Sequence, residues 1–592
     1  MAKKDYTNWD RNDLIKEIEQ LRKRKKFGLV WENKPEDVVE LCKKELPVLA
    51  EVKEKEIFKS SELSINLLIE GDNYHSLSVL NYTHKGKVDV IYIDPPYNTG
   101  NKDFIYNDQY VDKEDPYRHT KWLSFMNKRL TLAKELLSSN GVIFISIDDN
   151  EYAHLKLLCD EIFGENNSIG PLIQNKLNSK NDTQNIQKNH EYVLVYRKKE
   201  IKKEGKTVAT LINKKLDSKE VFKENESFYF TGDPITTRGD GGILNARKNL
   251  GYTIYYNPDT NDIKGVMDYD IELAKSSNNE EEVYTDKAVL IDQGYVLIRP
   301  PRVRGKLGAW TWDCKRFNTN IDEIKIKKNR NGGYIVCKKN FVDPDDVYEV
   351  DGKYYFDMNK FGNSKSIIEY STNEGTDAYN QILEPGSFNN PKNVEMLKHF
   401  LSLYDNKNSL VLDFFAGSGT LAQAVLELNK EDKGLRRFIL CTNNENGIAE
   451  KICYKRVFNV INGYDSIDGI QSNLKYFKTS FVPADPTDKN KNTLTQKATE
   501  MLCIKEDAFE KVKIEENYKI FRNRKRYTGI VFDHLAIPEF KRVISDIDGH
   551  FNVYVFSLGD DTFDEEFTDI KNKVKLSPIP EAILRVYRRI FK

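Results

Sequence analysis

The sequence predicts a doubly wound, Rossmann-like α/β domain split in two by an inserted domain, with a smaller α/β module at its C-terminal end. Three observations carry that prediction. β-Branched strand runs alternate with amphipathic helices from Leu63 to Phe163, the rhythm of a parallel sheet with crossover helices. The rhythm fails between Asn167 and Pro385, and it resumes with a strand, a Gly-rich turn and a helix after residue 386.

In chain order, residues 1–60 form an N-terminal helical segment. Leu14, Ile15, Ile18 and Leu21 share one face at helical spacing, and Arg22 to Lys26 read as a solvated helix end where cations favour the dipole. Residues 61–166 are the first half of the split domain. SINLLIEGD (64–72) reads as a strand, a polar helical stretch runs to Thr83, and VDVIYID (88–94) reads as a buried strand. A helix over WLSFMNKRLTLAKELLSS (122–139), the strand VIFISID and the helix EYAHLKLLCDEIF follow.

Residues 167–385 are the inserted domain, where short aromatic strands alternate with Asn, Gly and Lys, as in GYTIYYNPDTNDIKG (251–265). Residues 386–480 supply the second half: the helix NVEMLKHFLSLY, the strand and turn SLVLDFFAGSGT (409–420), the helix TLAQAVLELN and the strand RFILCT. A polar linker, FVPADPTDKNKNTLTQ, opens the C-terminal module, 481–592.

The bulk numbers narrow the class. The 592 residues carry 91 basic against 92 acidic side chains, so any nucleic-acid contact must come from local patches. No long uncharged apolar run and no secretory signal occur, which predicts a soluble, cytoplasmic protein. The seven cysteines, Cys42, Cys159, Cys314, Cys337, Cys441, Cys453 and Cys503, form no C-x-x-C pair, and no metal site is predicted.

Two motifs carry chemistry. Asp413 to Thr420 (DFFAGSGT) follows an apolar strand and opens a helix, so its glycines let a ligand approach backbone at the crevice where such sheets bind ligands. With Ala422 the turn also fits the Ala variant of the dinucleotide pattern, and the motif alone leaves the cofactor open. No G-x-x-x-x-G-K-[ST] occurs, since Glu200 stands where the first glycine of the Gly205-Lys206-Thr207 segment belongs.

The second motif is Asp94-Pro95-Pro96-Tyr97. The strand delivers Asp94 to the sheet edge, the prolines stiffen the turn, and Tyr97 offers an aromatic face. That set suits a flat, amine-bearing ring: Tyr97 stacks it, while Asp94 and the Pro95 carbonyl accept its N–H bonds. Accepting those hydrogens directs the nitrogen lone pair at a methyl donor, so direct transfer needs no covalent intermediate. No Pro-Cys dipeptide occurs, although carbon methylation of cytosine would require a thiol nucleophile. A base in duplex DNA must be flipped out first.

These residues resemble the amino-DNA methyltransferases of the β arrangement, in which the catalytic motif precedes the cofactor motif and the target-recognition region lies between. More narrowly, KKFGLVWENKPE, IEGDNYHSLSVL, DPPYNTGN, GVIFISIDDNE, HEYVLVY, FNNPKNVEMLKHFL and SPIPEAILRVYRRIFK resemble the modification subunit of type III restriction-modification systems, over nearly the whole chain. The resemblance implies an adenine-N6 methyltransferase, with Asp94, Pro95, Pro96 and Tyr97 forming the catalytic pocket. It implies S-adenosyl-L-methionine cradled by Phe415, Gly417 and Gly419, with Asp413 and Thr420 beside them, and Pro391-Lys392-Asn393 as the other cofactor-side motif.

The ribose-binding acid is open among Asn443, Asn444 and Glu445, with Glu445 as the candidate. Asp72 either lines the cofactor pocket or caps a turn, and Asp148, Asp149 and Asn150 either face the site or cap a helix.

In the insert, RPPRVRGK (299–306) with Trp310 and Trp312 is a basic and aromatic cluster suited to phosphate contacts and stacking. Arg299, Arg302, Arg304, Lys306, Trp310 and Trp312 are therefore the DNA-contact candidates, with a solvated basic loop as the alternative. FRNRKRY near residue 525 is a second basic cluster. By family analogy the partners are double-stranded DNA, a second copy in a homodimer, and a separate helicase-nuclease restriction subunit.

Overall fold

Apolar side chains alternate across the VDVIYI strand. Val90 and Tyr92 pack into one hydrophobic cluster and Ile91 and Ile93 into another, as a strand buried on both faces requires. This computed structural model describes residues 10–11, 13–15, 31–177, 186–200, 202–203, 206–207, 209–237, 239–329, 332–523 and 526–591. Most of the amphipathic N-terminal segment lies outside them, including Ile18, Leu21 and Arg22 to Lys26; so do Arg524 and Lys525 of the second basic cluster.

The chain divides into two compact units, 1–213 with 363–592, and 214–362. The first is built on a ten-stranded sheet. Its strands are β1 (Glu45–Glu51), β2 (Ile65–Glu70), β3 (Val88–Ile93), β4 (Leu137–Ile147), β5 (Ser168–Asn175), β6 (His190–Arg197), β7 (Ile367–Glu369), β8 (Leu410–Asp413), β9 (Arg437–Thr442) and β10 (Asn473–Pro483). They lie in the order β1-β10-β2-β9-β8-β3-β4-β6-β5-β7.

The stretch from β10 to β4 is parallel throughout. Strands from the two halves of the sequence interleave within it, so the split domain is one sheet. One face packs against α1 (Asn73–Thr83), α2 (Arg118–Leu136) and α3 (Tyr152–Phe163). The other packs against α4 (Thr372–Asn380), α5 (Val394–Leu403), α6 (Thr420–Asp432) and α7 (Lys455–Asn462). The sequence carries α2 on to Ser139, but it stops at Leu136. Leu137 turns extended and starts β4, and its fully buried side chain joins the core.

Three boundaries differ from the sequence reading: within residues 1–60, read as helical, β1 (Glu45–Glu51) pairs with β10 and belongs to the main sheet, and both limits of the insert move. Residues 167–213 and 363–385 were assigned to the insert, yet β5, β6 and β7 extend the main sheet, so the second unit begins and ends inside those limits. Antiparallel β6 against β4 breaks the βαβ rhythm, which is why pattern alone placed this segment outside. The C-terminal residues carry a five-stranded sheet, Glu510–Ile514 to Val574–Ile579. They share a core with the main sheet: Met501, Ile530, Tyr554 and Tyr587 sit in the same cluster as Leu67 and Ile69.

The second unit has a six-stranded sheet and a three-stranded one around its own core, which includes Tyr252, Trp310, Trp312 and Phe317. Among the described residues no helix is long and apolar enough to cross a membrane.

Candidate active site

Parallel pairing of β3 with β8, Val90 to Val411 and Ile91 to Leu412, brings the two predicted motifs out at one sheet edge. Ligands bind there because neighbouring strand ends leave a crevice.

At the end of β3, Asp94 meets a charged network. The Tyr97 hydroxyl lies 2.9 Å from Asp94 Oδ1 and 3.0 Å from Glu191 Oε2, one proton between two carboxylates. Lys392 Nζ donates to Tyr97 Oη at 2.7 Å and to Glu191 Oε2 at 2.8 Å, and stands 3.2 Å from Asp94 Oδ1. Lys176 Nζ donates to the other Glu191 oxygen at 3.1 Å.

Burial raises Glu191, but Lys392 and Lys176 together overcome it and hold the carboxyl at about 2. Asp94 moves the other way: burial raises it and repulsion from Glu191 adds, with Lys392 opposing. Lys392 is held well above its usual value, because Asp94 and Glu191 outweigh the loss of solvent. The turn itself is pinned by Trp122, whose Nε1 donates to the Pro96 carbonyl at 2.7 Å.

Lys392 was expected on the cofactor side; it reaches the catalytic tetrapeptide instead. Asn393 caps α5 through Met396 N, and that start of the helix sets the residue before it facing Tyr97. Glu191 was missed, although it lies in the HEYVLVY segment. Its signal is a charge at a position only 8% exposed within an apolar strand, which is stable only when paired.

At the end of β8, buried Asp413 accepts from Phe415 N at 2.9 Å, and burial raises its carboxyl well above the usual range. Gly417 and Gly419 take φ of +51° and +76°. A Cβ on Gly419 would stand 3.1 Å from Cys453 Sγ and 3.3 Å from Cys453 O, so both the turn and its close approach require glycine. Phe415, half-buried, packs beside Phe125 and Phe414.

Thr420 faces inward. Fully buried Arg456 donates to Thr420 Oγ1 at 2.8 Å, Ser418 Oγ at 3.0 Å and Gln423 Oε1 at 2.9 Å. Burial pushes its guanidinium down to about 10, and among the described residues neutral groups hold this charge behind the turn.

Asp72 takes the capping role: its carboxylate accepts from Tyr74 N at 2.7 Å at the start of α1, and buried Arg129 lies 3.4 Å from both its oxygens. Glu445 follows β9 on an exposed turn. Burial raises its carboxyl first, and Asp108 and Asp72 add repulsion. Asp148 also caps locally, accepting from Asn150 N and Nδ2.

The insert cluster behaves differently from its reading. Trp310 and Trp312 are 1% and 3% exposed, and Trp310 Nε1 donates to Tyr252 O. As core residues they cannot stack on a base, because their apolar bulk is more stable inside. Arg299 is tied to Glu280 and Asp286 over the Tyr284 ring. Arg302, Arg304 and Lys306 are exposed on the hairpin that Val303 and Lys306 close.

Residues 88–454, which hold both strand ends, match the family model described as DNA methylase. The chain belongs to the DNA methylase family. The chain is 32% identical over 449 residues to the type III restriction-modification enzyme EcoPI Mod subunit of Escherichia phage P1, covering 70% of this chain and 63% of that one. It is 28% identical over 451 residues to the EcoP15I Mod subunit of Escherichia coli, covering 70% and 64%.

The chain therefore spans less than two thirds of these type III relatives. It matches the type II methyltransferase M.KpnI of Klebsiella pneumoniae over 87% of that protein and 69% of its own length, at 31% identity. The resemblance to type III modification subunits read from the motifs is borne out. Among solved structures, PvuII DNA methyltransferase (cytosine-N4-specific) covers 66% of the chain and 87% of its own at 7% identity and a TM-score of 0.31.

Proposed function

We propose that the chain transfers a methyl group from S-adenosyl-L-methionine to N6 of an adenine flipped out of duplex DNA, as the modification and recognition subunit of a type III restriction-modification system. The observation that carries it is the emergence of Asp94-Pro95-Pro96-Tyr97 and the Gly417/Gly419 turn from neighbouring parallel strands.

The donor set fits the cofactor. The left-handed Gly417 and Gly419 turn, the half-buried Phe415 and the exposed Glu445 after the neighbouring strand suit an adenosine with ribose hydroxyls. When bound, the cofactor supplies an electrophilic sulfonium methyl. The rest falls to the chain. Tyr97 and Lys392 both converge on Asp94 Oδ1, and Oδ2 is the acceptor for one N6 hydrogen while the Pro95 carbonyl takes the other. With both hydrogens held, the nitrogen pyramidalises and its lone pair is withdrawn from conjugation with the ring and points at the donor. Lys392 opposes the rise that burial gives the Asp94 carboxyl and so favours the ionised state, in which it accepts.

The compact unit 214–362 is the target-recognition domain in this reading, with Arg302, Arg304 and Lys306 contacting phosphate. The protein acts as a cytoplasmic homodimer and recruits a separate helicase-nuclease subunit, with the C-terminal module providing such contacts. Incubating the protein with labelled S-adenosylmethionine and duplex DNA tests the reaction: label should appear in N6-methyladenine. Label confined to cytosine overturns the substrate, and no label on any sequence overturns the activity.

A further inference from the structure

The residue after the catalytic tetrapeptide leads to an unassigned cluster. Asn98 is fully buried with φ +57°, and its Nδ2 donates at 2.6 Å to Glu151 Oε1. Glu151 caps α3 and is itself 0% exposed. Two imidazoles share this carboxylate: His119 Nδ1, near the start of α2, lies 2.6 Å from Oε1, and His154 Nδ1, one helical turn beyond Glu151, lies 3.0 Å from Oε2. The imidazole rings stand 4.6 Å apart. One ligand atom from each of the three residues lies within 4.8 Å of the others.

The geometry points to a binding site for a borderline divalent transition ion of the zinc class at His119, Glu151 and His154. Two features beyond proximity support it. Glu151 Oε2 and His154 Nδ1 are both buried, and their 3.0 Å contact lacks hydrogen-bond alignment, with no aligned hydrogen bond to either atom among the described residues; buried polar atoms so poorly satisfied are rare. Two imidazoles and one carboxylate are also the donor set of three-ligand zinc sites, whereas calcium and magnesium require oxygen. Both histidine side chains are more than a third exposed, which gives the ion an entry path and leaves room for water as a fourth ligand.

The protein must rearrange one proton. Arg118 Nε donates to His119 Nε2 at 3.1 Å, so the ring proton resides on Nδ1 and points at Glu151. The ion takes that place, the proton moves to Nε2, and the hydrogen bond from Arg118 ends. Since Asn98 is bonded to the same carboxylate, metal binding ties α2, α3 and the loop bearing Asp94 to Tyr97 together.

The test is zinc titration of the chelator-stripped full-length protein, with X-ray absorption at the zinc edge. One zinc per chain is expected, with imidazole ligands, no sulfur, and a rise in Tm. His119→Ala and His154→Ala should each lose stoichiometric binding. Arg118→Ala should bind more tightly, a gain that damaged folding cannot produce. No stoichiometric zinc, sulfur in the ligand shell, or unchanged binding in both histidine variants overturns the proposal.

Discussion

The two neighbouring strand ends solve different problems by different means. After β3, Asp94, Tyr97, Glu191 and Lys392 form a charged network that fixes protonation and the direction of hydrogen bonds. After β8, the turn is shaped by glycine backbone and braced from behind by Arg456 through neutral oxygens. Charge controls the side assigned to chemistry, and shape controls the side assigned to the cofactor. Damage to the first should therefore appear in kcat and its pH profile, and damage to the second in cofactor affinity.

The largest effect is expected at Asp94. Asp94→Ala removes the acceptor that aligns the amine and should lower kcat by about 100-fold or more, while cofactor affinity and Tm stay near wild type. Single-turnover transfer with labelled cofactor checks this, and wild-type turnover would refute the role.

Lys392 comes next, with a signature in pH. Burial and Glu191 raise Asp94, and Lys392 opposes them. Asp94 must be ionised to accept, so activity falls as pH drops through its raised value. Lys392→Met should move this acid limb to higher pH, and Glu191→Gln should move it lower. Stability has the opposite pattern at Glu191. Its folded value, about 2, lies below the unfolded one, so its contribution is present above the unfolded value near 4.5 and is lost as pH falls from there toward 2. Lys392→Met also leaves Asp94 without its cation and Glu191 with Lys176 alone, and should cost about 3 kcal/mol in urea unfolding; adding Glu191→Gln should recover part of it.

On the other strand end, Arg456→Met should weaken S-adenosylmethionine binding about tenfold, the scale of one or two lost hydrogen bonds, and leave kcat at saturating cofactor unchanged. A fall in kcat with unaltered affinity would show that the two strand ends are not separable in this way. Calorimetric titration beside single-turnover rates distinguishes the outcomes.

The sequence reading succeeded where local signals coincide with position. Strand runs ending in Asp94-Pro95-Pro96-Tyr97 and in Asp413 to Gly419 each carry their own stop, and parallel sheets put such stops on one edge. It failed where placement depends on distant chain. Glu191 reaches the site because β6 pairs antiparallel with β4, and Arg456 because α7 packs beneath the Gly-rich turn; neither pairing is written in nearby residues. Trp310 and Trp312 misled for a related reason: an aromatic beside basic residues has the same local pattern in a core as on a binding face, and only burial separates the two.

The insert extends the comparison to contacts that set affinity alone. Arg302 and Arg304 stand on an exposed hairpin, Arg302 3.6 Å from Glu280 Oε2, whereas the less exposed Arg299 is held between Glu280 and Asp286. A cation that neutralises phosphate releases counterions, so each lost contact lowers the dependence of binding on salt. Arg302→Ala and Arg304→Ala should each reduce the slope of log Kd against log salt by about one, with a similar weakening across DNA sequences, and leave kcat at saturating DNA untouched. Arg299→Ala should instead lower Tm, since it leaves Asp286 without its cation and Glu280 with Arg302 alone, and change the salt slope little. A full unit of slope lost at Arg299 with Tm unchanged would reverse this division, making its ion pairs a resting contact that DNA displaces.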